Sequence, residues 1–185
     1  MTSAARFGAK TAFLGKAVTD MHGRFLKEIL EKEQIDTRGF ILDERYFTTL
    51  AFVDLSPEGE RTFSFARKPG ADTQITEKEL DMEILGNTKI FHVGSLSLTS
   101  EPARSTTFAA IKAAKSAGAV ISYDPNYRAT LWENVETAKR EMKSLIPFVD
   151  IMKISDEETE LLTDEKEPEQ AAKVLLEKGD RKSVV

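Results

Sequence analysis

With 185 residues, of which 41% are hydrophobic and 31% charged, the chain has the make-up of a soluble globular protein with one good core. A net charge of -5 leaves no electrostatic footprint for nucleic acid or an anionic membrane, and no apolar run approaches the length of a membrane span. Zero cysteines exclude a disulfide frame and a thiolate metal site, the two histidines, His22 and His92, are too far apart in sequence to share a zinc ion at ligand spacing, and a cytoplasmic setting is expected.

The first nineteen residues carry Arg6, Lys10 and Lys16 but no acid, a pattern loosely like an organelle transit peptide. Phe7 to Gly15 reads better as a helix end followed by a strand over Thr11 to Lys16. Asp20 then precedes a helix over Met21 to Gln34. Its residues Phe25, Leu26, Ile29 and Leu30 form an apolar stripe opposite Lys27, Glu28, Glu31 and Lys32, so it should pack on one side.

The chain changes character at Tyr46. Two runs of β-branched and aromatic residues, Tyr46 to Leu55 and Glu60 to Arg67, flank Ser56-Pro-Glu-Gly59, which predicts a hairpin with a four-residue turn. By the two-residue period Phe63, Phe65 and Arg67 share one face and Thr62, Ser64 and Ala66 the other. A face of that kind suits closure over a ligand or pairing with a second copy; it equally suits an arginine that only caps a hydrophobic sheet edge. Pro69-Gly-Ala-Asp72 breaks the strand.

From Thr76 onward helices and strands alternate. Thr76 and Glu79 have capping-box spacing for a short helix, and Thr88 to Val93 is a strand that ends at Gly94-Ser95. Ser100 and Pro102 open a long Ala-rich helix closed by Gly118, and Ala119 to Tyr123 is a buried strand. Val135 to Leu145 is an amphipathic helix closed by Pro147, and Asp150 to Ile154 is a strand. Ser155-Asp-Glu-Glu158 starts a helix, and Pro168 opens another that ends at Gly179. Acidic and basic clusters at Asp164 to Glu169 and Lys178 to Lys182 read as solvated helix ends. Strands separated by helices signal β-α-β units, so the fold class is α/β, a parallel-sheet core over 1–45 and 70–185 with a hairpin appendage over 46–69.

The stretch richest in chemistry follows the strand ending at Tyr123. Pro125 removes a donor and holds Asp124 extended, so the ladder stops, and Asp124-Pro-Asn-Tyr-Arg128 places a carboxylate, an amide and a guanidinium where parallel sheets hold ligands. The planar fork of Arg128 suits phosphate or carboxylate oxygens. The other reading of these residues is an ordinary turn with a solvated arginine.

Five strings in order resemble the ribokinase-type carbohydrate kinases, the PfkB family, and most closely their fructokinase branch: FGAKTAFLGK at 7–16, TTLAFVDLSPEGERTFSFARKPGAD at 48–72, IFHVGSLSLTSEPARS at 90–105, SYDPNYRATLW at 122–132 and DIMKISDEETELLT at 150–163. The resemblance implies a ribokinase-like sheet with a hairpin lid over the sugar, and transfer of the γ-phosphoryl group of Mg-ATP to a sugar hydroxyl. It implies that Phe65 and Arg67 reach the substrate and that Asn126 and Arg128 face the phosphates; a homodimer through the hairpin stays open on the aromatic face pattern alone. The family's Asn-x-x-Glu, near the Mg2+ ion, falls on Ser155 to Glu158 with serine in place of asparagine; Ser-x-x-Glu is also a capping box.

The chain departs from the family at both ends. It starts after the family's Gly-Gly loop, reaches Lys182-Ser-Val-Val185 where a central strand should begin, and lacks the Gly-Ala-Gly-Asp that supplies the anion hole and the catalytic aspartate. None of its ten glycines is followed two positions later by another, so no phosphate cradle of that type can form. Lys16-Ala-Val-Thr-Asp-Met-His-Gly23 also differs from the usual Val-Gly-Asp-Asp, and His22 receives no catalytic role. The expectation is an incomplete kinase fold, inactive alone and with an uncovered sheet face, or else a non-catalytic sugar-binding or dimerising module.

Overall fold

The computed structural model describes residues 1–59 and 61–179 together with the backbone of Ser183 and Val184. The expected hairpin residue Glu60, Asp180, Arg181 and Lys182 of the basic cluster, and Lys182 and Val185 of the expected last strand lie outside the described residues. The chain forms two compact units, Met1–Ile84 and Leu85–Val185.

In the first unit a short helix α1 (Thr2–Arg6) precedes β1 (Gly15–Val18), α2 (Met21–Lys32) and β2 (Phe40–Asp43), and β1 and β2 pair in parallel from Gly15↔Phe40 to Val18↔Asp43. The expected strand at Thr11 to Lys16 thus sits further along the chain, with only a lone bridge at Ala12↔Asp36 before it. The reason is Lys16, whose charge looks like a strand end but which is buried with its neighbours Ala17 and Val18. Its ammonium lies 2.9 Å from Asp43 and 2.7 Å from Glu79, and donates to the Gln74 carbonyl at 3.2 Å. Arg45 closes the network on Asp43 at 2.7 Å.

Helix α2 begins where expected, with the Asp20 carboxylate accepting from the Gly23 N–H at 2.7 Å, and ends two residues earlier, before Gln34, which adopts a positive φ. Its apolar stripe corrects the expectation of one-sided packing: Phe25 is 59% exposed, and Leu26 and Ile29 are also exposed. The helix docks instead through Gly23, its one buried residue, where a Cβ would collide with the Val18 carbonyl. Burial therefore follows the closest backbone approach and not the largest side chains.

The hairpin forms as β3 (Leu50–Leu55) and β4 (Arg61–Ala66), antiparallel from Leu50↔Ala66 to Leu55↔Arg61. It starts later than Tyr46, because Phe47 bridges Gly70 instead of joining the ladder. The phenylalanine face is as expected: Phe63 and Phe65 stack at 6.2 Å and are half-buried while Thr62, Ser64 and Ala66 are exposed. The capping box at Thr76 and Glu79 is present, but it heads a single 3-10 turn over Glu77–Glu79, and the helix proper, α3, is Met82–Asn87.

The second unit alternates β5 (Ile90–Gly94), α4 (Ala103–Ser116), β6 (Val120–Asp124), α5 (Val135–Leu145), β7 (Ile151–Lys153), α6 (Asp156–Thr163), α7 (Pro168–Glu177) and β8 (Ser183–Val184). The four strands are parallel in the order β5-β6-β7-β8. Strands that advance one place at a time through right-handed crossovers put every helix on the same face. On that face Val93, Ile121, Tyr123 and Met152 are buried with Ile111, Met142, Leu162 and Leu175 of the helices. The opposite face carries Ile90, 62% exposed, beside Val120, also exposed, a side that a parallel sheet normally covers.

The ion network yields a prediction. Hydrogen bonds from Arg45 and Lys16 hold the Asp43 carboxyl well below its ordinary range, and at Glu79 burial is outweighed by the hydrogen bond from Lys16, which lowers it too. The folded state then holds these protons less readily than the unfolded chain, so the stability they contribute is full above about pH 5 and is lost as pH falls further. Asp43→Asn should cost about 3 kcal/mol at neutral pH by taking one of two carboxylates from buried Lys16 and the partner of Arg45, and should flatten the acid limb. Urea titrations from pH 3 to 7 check both; an unchanged midpoint and slope would contradict the role.

Candidate functional site

Two parallel strands end side by side in the second unit. β5 runs into Gly94-Ser95 and β6 into Asp124-Pro125, and the Ser95 N–H donates to the Pro125 carbonyl at 3.2 Å, fixing the two ends together. Beside them opens a recess of about 260 Å³ lined by His92, Gly94, Ser95, Asp124 and Asn126, among others. It lies at the carboxyl ends of the strands, where backbone groups leave the ladder and face a ligand.

Each wall has a physical cause. Pro125 ends the strand, and Asn126 turns the chain with φ +46° while its N–H donates to Asp124 Oδ1 at 3.2 Å. Lys153 on β7 lies 3.4 Å from the other Asp124 oxygen. His92 Nδ1 and Ser122 Oγ are 3.1 Å apart across β5 and β6. Ser95 is fully buried, and its hydroxyl has no hydrogen-bond partner among the described residues. A buried hydroxyl left unsatisfied in a recess wall is costly, and a polar ligand relieves that cost. The Tyr123 hydroxyl is likewise buried and unpartnered, and burial, then the charges of Glu158 and Asp124, push its pKa up.

The residues expected at this site divide. Asn126 lines the recess. Arg128 is two residues beyond it, with Nη1 donating to the Tyr127 carbonyl at 2.8 Å. Glu158 is buried at the start of α6 and completes the capping box with Ser155, accepting from the Ser155 N–H at 2.9 Å. Its other oxygen accepts from the Tyr127 N–H at 2.6 Å, so one carboxylate ties the helix to the turn that carries Asn126 and Arg128. Phe65 and Arg67 belong to the hairpin of the first unit, where Arg67 pairs with Asp72 at 2.6 Å. Ser95, His92 and Asp72 are absent from the expected set; the strand-end rule that singles out Asp124 applies equally to Ser95, and nothing in the sequence ties Asp72 to Arg67.

Among the described residues no group of three or more His, Asp or Glu side chains is arranged to hold a metal ion. Also among the described residues, no helix is long and apolar enough to cross a membrane.

Glu158→Ala should destabilise the chain by about 2 kcal/mol, because two backbone donors lose one acceptor, and Glu158→Gln by less, since its carbonyl still accepts. Hydrogen exchange should quicken at Tyr127 and Ser155 together; quickening at Ser155 alone would show that the bridge to the turn carries no energy.

The pfkB family carbohydrate kinase profile matches residues 1–185. The chain is 45% identical over 163 residues to probable fructokinase-7 of Arabidopsis thaliana, covering 88% of this chain and 48% of the relative. It is 44% identical over 158 residues to fructokinase-2 of Solanum lycopersicum, covering 85% of this chain and 48% of the relative. It spans about half the length of the curated relatives it matches. Among solved structures, the fructokinase of Vibrio cholerae O395 bound to fructose, ADP and calcium superposes with a TM-score of 0.86 at 31% identity, over 96% of this chain and 57% of that one. The fructokinase of Xylella fastidiosa with bound ATP gives 0.87 at 31% identity, over 98% of this chain and 57% of that one. The parallel α/β architecture is therefore that of the ribokinase-like fold, and the chain belongs to the pfkB family of carbohydrate kinases.

Proposed function

We propose that this chain is the part of a fructokinase that carries the hairpin lid and the turn facing the phosphates. The observation that carries the reading is the recess at the ends of β5 and β6, where an unsatisfied serine hydroxyl, a carboxylate and an amide meet. In the reaction a sugar hydroxyl oxygen bonds to the γ-phosphorus of ATP, the bond from that phosphorus to the β,γ-bridging oxygen breaks, ADP leaves, and the hydroxyl proton passes to a base. Asn126 and Arg128 lie on the phosphate side, where fixed donors neutralise the oxygens as charge redistributes. When bound, Mg2+ would supply charge neutralisation at phosphate oxygens, and Glu158 holds the turn that carries Asn126 and Arg128. The hairpin, 46–69, is the lid on the sugar, which Phe65 and Arg67 contact.

The same hairpin face supports a homodimer, since Val53 and Leu55, opposite Phe63 and Arg61, are exposed. We take the chain to be cytoplasmic, although one relative, probable fructokinase-6 of Arabidopsis thaliana, is named as chloroplastic. None of the chain's glycines forms the Gly-x-Gly-Asp that gives the family its anion hole and base, so these 185 residues do not turn over substrate alone. A second reading is a sugar-binding or dimerising module without catalysis, supported by the exposed Val53 and Leu55 of the hairpin.

Purified alone, the chain should release no ADP from ATP in the presence of fructose in a coupled assay. Joined to the remaining half of a plant fructokinase it should gain activity, and Arg128→Ala should then lower kcat at least ~10²-fold. Turnover by the chain alone, or unchanged kcat in the variant, would contradict the assignment.

A further inference from the structure

At the root of the hairpin the chain closes on itself. Arg67 leaves β4 and turns its guanidinium onto Asp72, with Nε 2.7 Å and Nη2 2.6 Å from the same oxygen, Oδ2. The other oxygen accepts from the Thr49 hydroxyl, just before the strand that enters the hairpin. Gly70 permits this convergence, because a Cβ there would strike Thr49 Oγ1 and approach Asp72 Oδ1 and Arg67 Cγ. The Arg67 side chain is 7% exposed and Asp72 38%, so the cation is held in the wall and its counter-charge stands nearer to water.

We propose that Asp72 is a positioning and specificity residue: it fixes the Arg67 guanidinium at the foot of the lid and cancels its charge, so that this part of the site accepts an uncharged sugar and disfavours a phosphorylated one. The inference rests on the reading of Arg67 as a sugar contact. An arginine locked through two donors to one carboxylate oxygen keeps its plane fixed, which is what oriented hydrogen bonding to a sugar hydroxyl requires. A neutral hydroxyl meets a pair of no net charge, whereas a phosphate monoester brought to the same place meets the Asp72 carboxylate as well as the guanidinium. Discrimination of that kind comes from a repulsive element as much as from an attractive one. Thr49, the residue just before β3, anchors Asp72, so the geometry is shared by the entry and the exit of the hairpin.

The test uses the 15N-labelled 185-residue chain, followed through the Arg67 Nε–H signal and the hairpin amides during titration with fructose or fructose 6-phosphate. In the wild type the Nε–H signal should resist exchange with water and shift with fructose but not with fructose 6-phosphate. In Asp72→Asn it should exchange rapidly, the fructose Kd should rise about tenfold, and fructose 6-phosphate should begin to shift the hairpin amides. Asp72→Glu, which keeps the charge, should retain the preference and shows that loss in the asparagine variant is not a folding defect. If fructose shifts Arg67 in the wild type but Asp72→Asn leaves protection and both affinities unchanged, the positioning inference fails while the sugar contact stands. If fructose leaves Arg67 unmoved in the wild type, the sugar contact itself fails and the inference falls with it.

Discussion

The Glu158 carboxylate is the point on which the second unit's site depends. A helix start and a strand end both leave backbone N–H groups without intrinsic partners, and here one buried side chain accepts from each, from Ser155 and from Tyr127. Because α6 is packed into the helical layer through Thr159 and Leu162, the turn bearing Asn126 and Arg128 inherits the position of that layer. The capping box, one of the two readings the sequence left open for Glu158, is present, and the same carboxylate sets the place of the turn that carries Asn126 and Arg128.

The first unit uses the same device with charges in place of amides. Lys16 reaches Asp43 and Glu79 from inside the β1 and β2 pair, linking strands to the 3-10 turn at Glu77–Glu79, and Arg67 reaches Asp72 at the hairpin root. Buried charges of this sort add little net stability over an apolar contact, but each is costly to break and therefore selects one arrangement. Around them the apolar contribution is thin, with the α2 stripe and one hairpin face left in water. The second unit has the reverse balance, a dense layer of Ile, Leu and Met under one sheet face and a bare opposite face.

Much of this was legible in the residues. The alternation after Thr88 fixed the order of strands and helices because Pro and Gly punctuate it at Pro102, Gly118, Pro147 and Pro168. The hairpin faces followed from the period of two. What failed was whatever depended on a distant partner. Lys16 looked like the end of a strand because a lone charge is read as solvent-facing, and only Asp43 and Glu79, far along the chain, make it a core residue. The α2 stripe looked like a packing face because spacing reports a helix and not what covers it. Of the site, Asn126 and Glu158 could be found from strand-end and capping rules; Ser95 stood under the same rule without being singled out, and Asp72 carried no signal at all.

The central claim is that the recess between the ends of β5 and β6 is where phosphate and sugar oxygens are received. Chemical-shift mapping of Mg-ATP with fructose on the labelled chain tests it most directly. Shifts should concentrate at Ser95, Asn126, Tyr127 and Arg128; a response that leaves these four unmoved while altering other residues would contradict the account.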